Sequence, residues 1–160
     1  MHAQLLYQEQ VKILIQQFKF HRKLEYSRLF SLLLAEKLPS FAEPPDLIIP
    51  VPLHNSRLRS RGYNQAWELA RRLSRLSGIP ASHKHCHRIK KTPLQTGLKA
   101  RERKRNLKQA FAVMGNVKGL HICIVDDVMT TGSTLEAIAS VLKAAGAARV
   151  SGLVVARVVL

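Results

Sequence analysis

The sequence predicts an α/β protein with a mainly parallel central sheet, and three observations lead to this class. Short apolar runs rich in Ile and Val predict buried strands, as at residues 122–125. Amphipathic helical patterns alternate with these runs, as at residues 63–76. The chain of 160 residues, 46% of them hydrophobic, is long enough to bury a core. Alternating strands and helices are typical of a parallel sheet, and we expect residues 1–160 to form one domain.

The first part of the chain is predicted to be a helical arm, residues 1–40, in front of an α/β core at residues 41–160. Apolar residues at helical spacing predict helices over residues 5–20 and 27–38. No residue pattern in this arm points to catalytic chemistry. The arm is therefore expected to pack over the sheet or against a partner.

The core is expected to begin with a short buried strand at residues 46–52, which we take as the first central strand. A loop is expected after it, over residues 53–65, and carries Arg57, Arg59 and Arg61. Open α/β sheets bind ligands at the carboxyl ends of their strands. We therefore expect these guanidinium groups to lie near a bound anion such as pyrophosphate.

An extended segment is predicted at residues 81–89, where His83, His85 and His87 would share one face of a strand. Cys86 lies among them, and such a group invites a metal-site interpretation. No further ligand pair at zinc spacing occurs in the sequence, so a polar strand face is the preferred interpretation. We expect no metal ion bound by the protein alone.

Positive charge is concentrated in the middle of the chain. Residues 57–108 carry +14 of the formal net charge of +16. Within them, residues 88–106 contain Pro93, Gly97 and few apolar side chains, which predicts a flexible basic loop. A charge distribution this one-sided favours a polyanionic partner, and the alternative is a solvated basic face.

The strongest functional signal follows the predicted strand at residues 122–125. Asp126 and Asp127 come first, and five small polar residues then precede a helical pattern: Thr130, Thr131, Gly132, Ser133 and Thr134. A loop that opens onto a helix N-terminus presents backbone N–H groups and a positive dipole end, which suit a phosphate. The carboxylates repel a phosphate and suit sugar hydroxyls or hydrated Mg²⁺ instead. The alternative is that these residues only end a strand and cap a helix. Capping needs one hydroxyl or carboxylate, so that role alone would not explain all seven residues.

Two motifs together resemble a known family. Residues 125–134, VDDVMTTGST, are similar to the phosphoribosyl pyrophosphate (PRPP) signature of type I phosphoribosyltransferases. PVPLH at residues 50–54 and RSRGYNQ at residues 59–65 resemble the ComF/GntX family of competence-associated phosphoribosyltransferase-like proteins. The resemblance implies the type I phosphoribosyltransferase fold.

The family resemblance also implies roles for individual residues. Asp126 and Asp127 would bind the ribose hydroxyls and are the candidate catalytic residues, while residues 130–134 would bind the 5-phosphate. Mg²⁺ would accompany PRPP, with Arg59 and Arg61 beside the pyrophosphate. The flexible loop would close over the substrate. Its matching positions are Thr92, Gln95, Arg101 and Asn106.

Two functions remain open from the resemblance. The first is a PRPP-binding phosphoribosyltransferase-like protein involved in natural competence and DNA uptake, together with other competence proteins. The alternative is a non-catalytic module that binds single-stranded DNA. Its contacts would be electrostatic, because residues 84–108 contain no aromatic platform. The nucleic-acid candidates are Arg101, Arg103, Lys104 and Arg105.

Two expectations concern what the sequence lacks. Family members commonly begin with a zinc ribbon, and the sequence has no four-cysteine module, so we expect no zinc. No apolar run approaches the length of a membrane span, and residues 1–8 lack the pattern of a secretion signal. A cytoplasmic protein without membrane insertion is therefore expected.

Overall fold

The computed structural model describes residues 2–20, 25–90, 107 and 109–158. Its strands are β1 (His2–Leu6), β2 (Leu47–Pro50), β3 (Cys86–Arg88), β4 (Phe111–Val113), β5 (His121–Met129) and β6 (Arg149–Arg157). Its helices are α1 (Glu9–Phe20), α2 (Glu25–Ala35), α3 (Asn55–Arg61), α4 (Gln65–Ser77) and α5 (Ser133–Ala144), with a 3-10 turn at Leu38–Ser40.

The predicted class is confirmed, because β1, β6, β5 and β2 form a parallel sheet in that order. The long strands β5 and β6 lie at its centre and pair from His121 and Arg149 to Met129 and Arg157. The short strands β3 and β4 pair with each other, antiparallel, in a separate sheet. All four strands of the main sheet therefore end at the same edge, where polar side chains from different strands can meet.

The two faces of the sheet are covered by different elements. Cys123 and Val125 of β5 pack with residues of α1, α2 and α4. Ile122 and Ile124 pack with residues of α5 and of the β3–β4 pair. Successive side chains of a strand point to opposite faces, so both faces of β5 are buried up to Val125. The same alternation directs the side chains of the next two residues, Asp126 and Asp127, to opposite faces of the sheet.

The prediction of a helix beginning at residue 5 is wrong. The chain enters as β1, which pairs with β6 through Ala3 and Val154 and through Leu5 and Ala156, and α1 begins only at Glu9. A short apolar run fits a strand or a helix locally, and here pairing with a distant strand decides. The strand predicted as the first central one, β2, is consequently second in the chain and lies at the end of the four-stranded order.

The arginines after β2 lie on a helix, although the sequence analysis assigned them to a loop. His54 caps α3, since its ring Nδ1 accepts from the peptide N–H of Ser56 at 3.3 Å. Gly62 ends the helix with φ 80°, and its N–H donates to Leu58 O at 2.8 Å. Residues two positions apart on a helix point in different directions. The guanidinium groups of Arg57, Arg59 and Arg61 therefore do not share one face, as they would on an extended loop.

The three predicted strand histidines do not share a face either. Only Cys86–Arg88 is a strand, so His83 and His85 precede it. The ring of His83 packs against Trp67, with ring centroids 4.6 Å apart, and the ring of His85 contacts Ser82 Oγ at 2.7 Å. Within the described residues, no group of three His, Cys, Asp or Glu side chains could hold a metal ion.

Other predicted elements are confirmed. The helix after the hydroxyl-rich loop begins at Ser133, β4 occupies Phe111–Val113, and the last described strand begins at Arg149. Residues 91–106 lie outside the described part of the chain, and the predictions for the flexible loop fall there. So do the loop and nucleic-acid candidates Thr92, Gln95, Arg101, Arg103, Lys104, Arg105 and Asn106. In the described ranges, no helix combines the length and apolar character that spanning a membrane requires.

Candidate functional site

The candidate site lies at the carboxyl end of β5, which is longer than predicted. The strand continues through both carboxylates to Met129, and Asp126 stands opposite Val154 of β6. The neighbouring strand β2 ends beside it, because the N–H of Val51 donates to Val125 O at 2.9 Å. The backbone of both aspartates is therefore part of a strand paired to its neighbours and not of a loose loop. This pairing fixes the positions of the two carboxylates at the sheet edge.

The loop from β5 to α5 contains the predicted phosphate-binding residues, and its tightest point is Gly132. This residue has φ 75° and caps α5, and the N–H of Glu136 donates to its carbonyl at 2.9 Å. An added Cβ would meet the Met129 side chain, with Sδ at 3.6 Å and Cγ at 4.0 Å, and both are ordinary contacts. Glycine is therefore favoured here by backbone conformation and not by lack of space.

The hydroxyls of this loop are organised and accessible. Thr131 Oγ1 lies 2.7 Å from Ser133 Oγ and accepts from the N–H of Ser133 at 3.4 Å. Thr130, Thr131 and Ser133 are exposed, and Gly132 offers no side-chain cap to α5. The first turn of a helix leaves N–H groups without intrahelical partners, and at α5 they face hydroxyls and solvent. This arrangement suits a dianionic phosphate.

Asp126 continues the face of Ile122 and Ile124, toward α5. Its Oδ1 accepts from the N–H of Asp127 at 2.9 Å, and the residue is partly buried. Desolvation, followed by the charge of Asp127, raises the pKa of Asp126 well above the ordinary range of a carboxyl group. The Asp127 N–H and the charge of Lys19 act in the opposite direction. A carboxyl group of this kind can hold a proton near neutral pH and then donate as well as accept.

Asp127 points to the other face and is 5% exposed. Its Oδ1 lies 3.0 Å from Nζ of Lys19, near the end of α1, in an ion pair whose Lys19 side chain is partly buried. An unpaired charge buried in this way would be strongly destabilising, and the ammonium group offsets it. The two adjacent carboxylates of the motif therefore have different partners.

Lys19 is a site residue that the sequence analysis missed. The end of α1 is anchored on the α3–α4 region, since the Tyr63 hydroxyl donates to Phe18 O and Gln65 Nε2 donates to Lys19 O at 3.4 Å. The one local signal was a basic residue in the last turn of a helix, which favours the helix dipole but is common. Its pairing with Asp127 is a long-range contact and leaves no local pattern.

Arg61 is connected to the same group of side chains. Its Nη1 donates to Gln65 Oε1 at 3.2 Å, and Gln65 in turn contacts the backbone of Lys19. Arg59 lies two residues earlier, at the exposed surface of α3. The two arginines predicted for the pyrophosphate therefore differ, because Arg61 is joined through contacts to Asp127 and Arg59 projects into solvent.

Comparison with known proteins defines the class. The sequence profile of the phosphoribosyl transferase domain matches residues 58–158, which include α3 in part, β5, the loop and α5. The chain belongs to this family. The predicted type I phosphoribosyltransferase fold is thereby confirmed. β1, α1 and Lys19 lie before the matched range.

Individual relatives show which members of this family the chain is similar to. The chain is 40% identical over 148 residues to competence protein F of Haemophilus influenzae, covering 88% of this chain and 65% of that protein. It is 44% identical over 142 residues to the DNA utilization protein YhgH of Escherichia coli, covering 86% and 63%. The predicted resemblance to competence-associated proteins is confirmed. The chain spans slightly less than two thirds of the length of these relatives.

Solved structures support the fold. The glutamine PRPP amidotransferase of B. subtilis superposes with a TM-score of 0.56 at 20% identity, covering 80% of this chain and 25% of that one. The hypoxanthine phosphoribosyl transferase of Trypanosoma cruzi gives a TM-score of 0.51 at 17% identity, covering 82% and 64%. At this level of identity the two structures show a shared fold alone.

Proposed function

We propose that the protein binds PRPP in the cytoplasm and serves, as a phosphoribosyltransferase-like protein, in DNA utilization during natural competence. One observation carries the proposal: the hydroxyl-rich loop opens onto the N-terminus of α5 directly after a strand that carries two carboxylates near its carboxyl end. Phosphate and sugar hydroxyls need these two environments side by side, and ribose 5-phosphate carries both groups. The match to the phosphoribosyl transferase domain covers this region.

The 5-phosphate is assigned to the loop at residues 130–134. Backbone N–H groups of the first turn of α5 donate to its oxygens, and the hydroxyls of Thr131 and Ser133 complete the set. The positive φ of Gly132 turns the backbone toward the ligand. No carboxylate oxygen is needed in this half of the site.

The ribose hydroxyls are assigned to Asp126 and Asp127, with unequal roles. Asp126 lies on the face of β5 that leads to the loop, so its carboxyl group reaches the sugar side of the bound phosphate. Asp127 is already paired with Lys19, and it acts on the ligand side through its negative charge, which raises the pKa of Asp126. A sugar hydroxyl is both donor and acceptor, and it can bond Asp126 in either protonation state.

Mg²⁺ fits as an ion shared with the ligand. Asp126 supplies a hard carboxylate oxygen, and Mg²⁺ is commonly held by one or two carboxylates together with substrate phosphates. Bound to PRPP, the ion would neutralise pyrophosphate charge. Because desolvation favours the protonated form of Asp126, a cation brought by the ligand would also promote loss of that proton.

Group transfer from PRPP separates anionic pyrophosphate from the ribosyl carbon. Cations placed in advance stabilise this charge, and Arg59 and Arg61 on α3 are the candidates in the described residues. The role in DNA utilization rests on the names of the relatives from H. influenzae and E. coli, together with the high positive charge of residues 57–108.

Calorimetry with PRPP tests the assignment. Titrations in the presence and absence of Mg²⁺ should show binding to the wild type and at least about tenfold weaker binding to Asp126→Asn/Asp127→Asn, because a hydrogen bond from the ribose to Asp126, once ionised, contributes about 1.5–3 kcal/mol. The control is Glu43→Gln, whose exposed carboxylate contacts Arg149 at the opposite end of β6. Equal PRPP affinity of the wild type and the double variant would disprove the ribose assignment.

A further inference from the structure

A cavity of about 850 Å³ lies at the carboxyl end of β2, between the α3–α4 region and the β3–β4 pair. We call it the β3–β4 cavity. Asp126, Asp127 and the loop at residues 130–134 are not among the described residues that line it. Its volume falls within the range of sites for small ligands, roughly 300–1,000 Å³. It therefore offers a second binding site beside the one already described.

The walls of this cavity are largely apolar and aromatic. Leu58 and Met114 line it and remain 40% and 55% exposed. Apolar side chains grouped around a concave surface mark a place where a ligand binds. The indole of Trp67 meets the ring of His83 edge to face, with ring centroids 4.6 Å apart, and Tyr63 adds another ring to the lining. These rings suit a planar aromatic ligand.

Glu68 is the one carboxylate among the described lining residues. Its side chain is 12% exposed, and its Oε2 accepts from Nε of Arg71 at 2.9 Å and also contacts Nη2 of the same residue. Within the part of the chain that the structure describes, Oε1 of Glu68 has no hydrogen-bond partner. An ionised carboxylate only accepts hydrogen bonds, so a ligand that uses Oε1 must present an N–H or O–H group.

The ion pair of Glu68 with Arg71 determines which donor suits the cavity. The guanidinium group offsets the negative charge of the carboxylate, so a cationic ligand would gain little from Glu68. A neutral N–H group still gains, because a hydrogen bond to an ionised acceptor is stronger than one between neutral groups. The cavity therefore combines aromatic walls with an acceptor for a neutral donor.

We propose that the β3–β4 cavity binds a nucleoside whose base carries an amino group, with the ring against Trp67 and the amino group donating to Glu68 Oε1. An aliphatic ligand would leave the acceptor unused, and a small polar ligand would leave the rings uncovered. Asn55 is an exposed lining residue, and its amide can bond a sugar hydroxyl. The ligand is no acceptor for ribosyl transfer at its glycosidic nitrogen, because that atom already carries a sugar.

Two ligands of the same shape test the contact with Glu68. The protein is titrated by calorimetry with adenosine and with the analogue that has a methyl group in place of the amino group. Adenosine should bind at least about tenfold more tightly, because the methyl group cannot donate to the carboxylate. Equal affinity for the two ligands would overturn the proposal.

The emission of Trp67 reports the place of binding, because it is the only tryptophan in the sequence. Bound adenosine should change this emission, since its ring contacts the indole. An emission that stays unchanged when calorimetry shows the protein to be saturated would place the ligand elsewhere and would refute the assigned cavity.

Two variants separate the assigned contact from a general loss of negative charge. In Glu68→Gln the amide oxygen remains with Arg71 and an NH₂ group replaces Oε1, so adenosine should bind about tenfold more weakly and the methyl analogue with unchanged affinity. The matched control is Glu25→Gln, at an exposed residue in the first turn of α2, which should change neither affinity. Far-ultraviolet circular dichroism verifies that each variant is folded. Equal adenosine affinity of the two variants would show that the contact with Glu68 is wrong.

A competition experiment keeps this site distinct from the proposed PRPP site. Saturating PRPP should not displace adenosine, and Asp126→Asn/Asp127→Asn should bind adenosine as the wild type does. Both results are expected whether or not the protein binds PRPP, so the inference does not depend on the proposed function. Displacement of adenosine by PRPP would show that the two ligands share one site and would refute a second one.

Discussion

The two faces of β5 present the same chemical group under different conditions. Asp126 lies on the face that leads to the open N-terminus of α5, where hydroxyls and backbone N–H groups face solvent. Asp127 lies on the face covered by α1 and α4, is 5% exposed and contacts Lys19. One strand step separates the residues, and strand alternation alone creates the difference. A motif of two adjacent carboxylates can therefore contain one group for the ligand and one for the structure.

The covered face also joins the N-terminal arm to the site. Lys19 reaches Asp127 from α1, and the backbone at the end of α1 accepts from Tyr63 and Gln65. Burial is the main cause of the raised pKa of Tyr63, and the charges of Glu68 and Asp127 act in the same direction. The arm therefore contributes an electrostatic partner to a motif on another part of the chain.

The largest expected effect is on the covered face. Lys19→Met should lower the free energy of unfolding by about 2–4 kcal/mol, because it leaves the buried Asp127 carboxylate without its partner. Urea denaturation at neutral pH measures the loss. Lys12→Met on the same helix is the control, since Lys12 pairs with the exposed Glu9 at 3.6 Å and should lose under about 0.5 kcal/mol.

A double variant identifies the cause of that loss. Lys19→Met/Asp127→Asn removes both charges, so it should be more stable than Lys19→Met alone. If the double variant is as unstable as the sum of the two single variants, the ion pair contributes nothing and α1 is held by its backbone contacts alone.

The ligand face should respond to pH. A carboxyl group whose pKa is raised by folding destabilises the protein as pH increases from its unfolded value to its folded value, because ionisation is harder in the folded state. Asp126→Asn should therefore stabilise the protein by about 1–2 kcal/mol above the folded pKa and give no such gain below about pH 4. Urea denaturation across this range measures it. A difference between the variant and wild type that is independent of pH would contradict the raised pKa of Asp126.

Some of these features could be predicted from the sequence because they are local. The strand, the carboxylates, the hydroxyl-rich loop and the start of α5 at Ser133 follow one another within a short run, and each has its own signal. The pairing of β1 with β6 and the contact between Lys19 and Asp127 depend on residues far apart in the chain, for which a single sequence shows no pattern.

Two errors have a related physical origin. The arginines of α3 were assigned to a loop because the capping roles of His54 and Gly62 were not recognised. His83 and His85 were assigned to a strand face by alternation alone, whereas contacts with Trp67 and Ser82 hold their rings outside the strand. The spacing of residues in the sequence predicts an element correctly only where contacts with neighbouring elements do not reposition its side chains.

A smaller effect is expected at the loop on the ligand face. Gly132→Ala should cost about 1 kcal/mol of stability, because alanine is strained at φ 75°. The variant should also bind PRPP more weakly, since the same backbone turn directs the loop toward the phosphate. Gly78→Ala is the matched control: φ is 76°, and a Cβ there meets nothing within 4 Å. Denaturation should show similar losses for both variants, and calorimetry should show weaker PRPP binding for Gly132→Ala alone. Unchanged PRPP affinity in Gly132→Ala would show that PRPP binding does not depend on the backbone conformation at Gly132.

The smallest effect distinguishes a ligand-binding hydroxyl from a structural one. Thr131→Val keeps the shape of the side chain and removes the oxygen that contacts Ser133 Oγ and accepts its N–H. Because these atoms are exposed, water replaces the lost contacts, and stability should change by no more than about 0.5 kcal/mol. PRPP affinity should nevertheless fall about threefold to tenfold, as one neutral hydrogen bond contributes about 0.5–1.5 kcal/mol. Ser60→Ala, which removes an exposed hydroxyl bonded to Arg57 O on α3, should change neither quantity measurably. A loss of stability in Thr131→Val without loss of PRPP affinity would show that the loop hydroxyls organise the helix end and do not contact the phosphate.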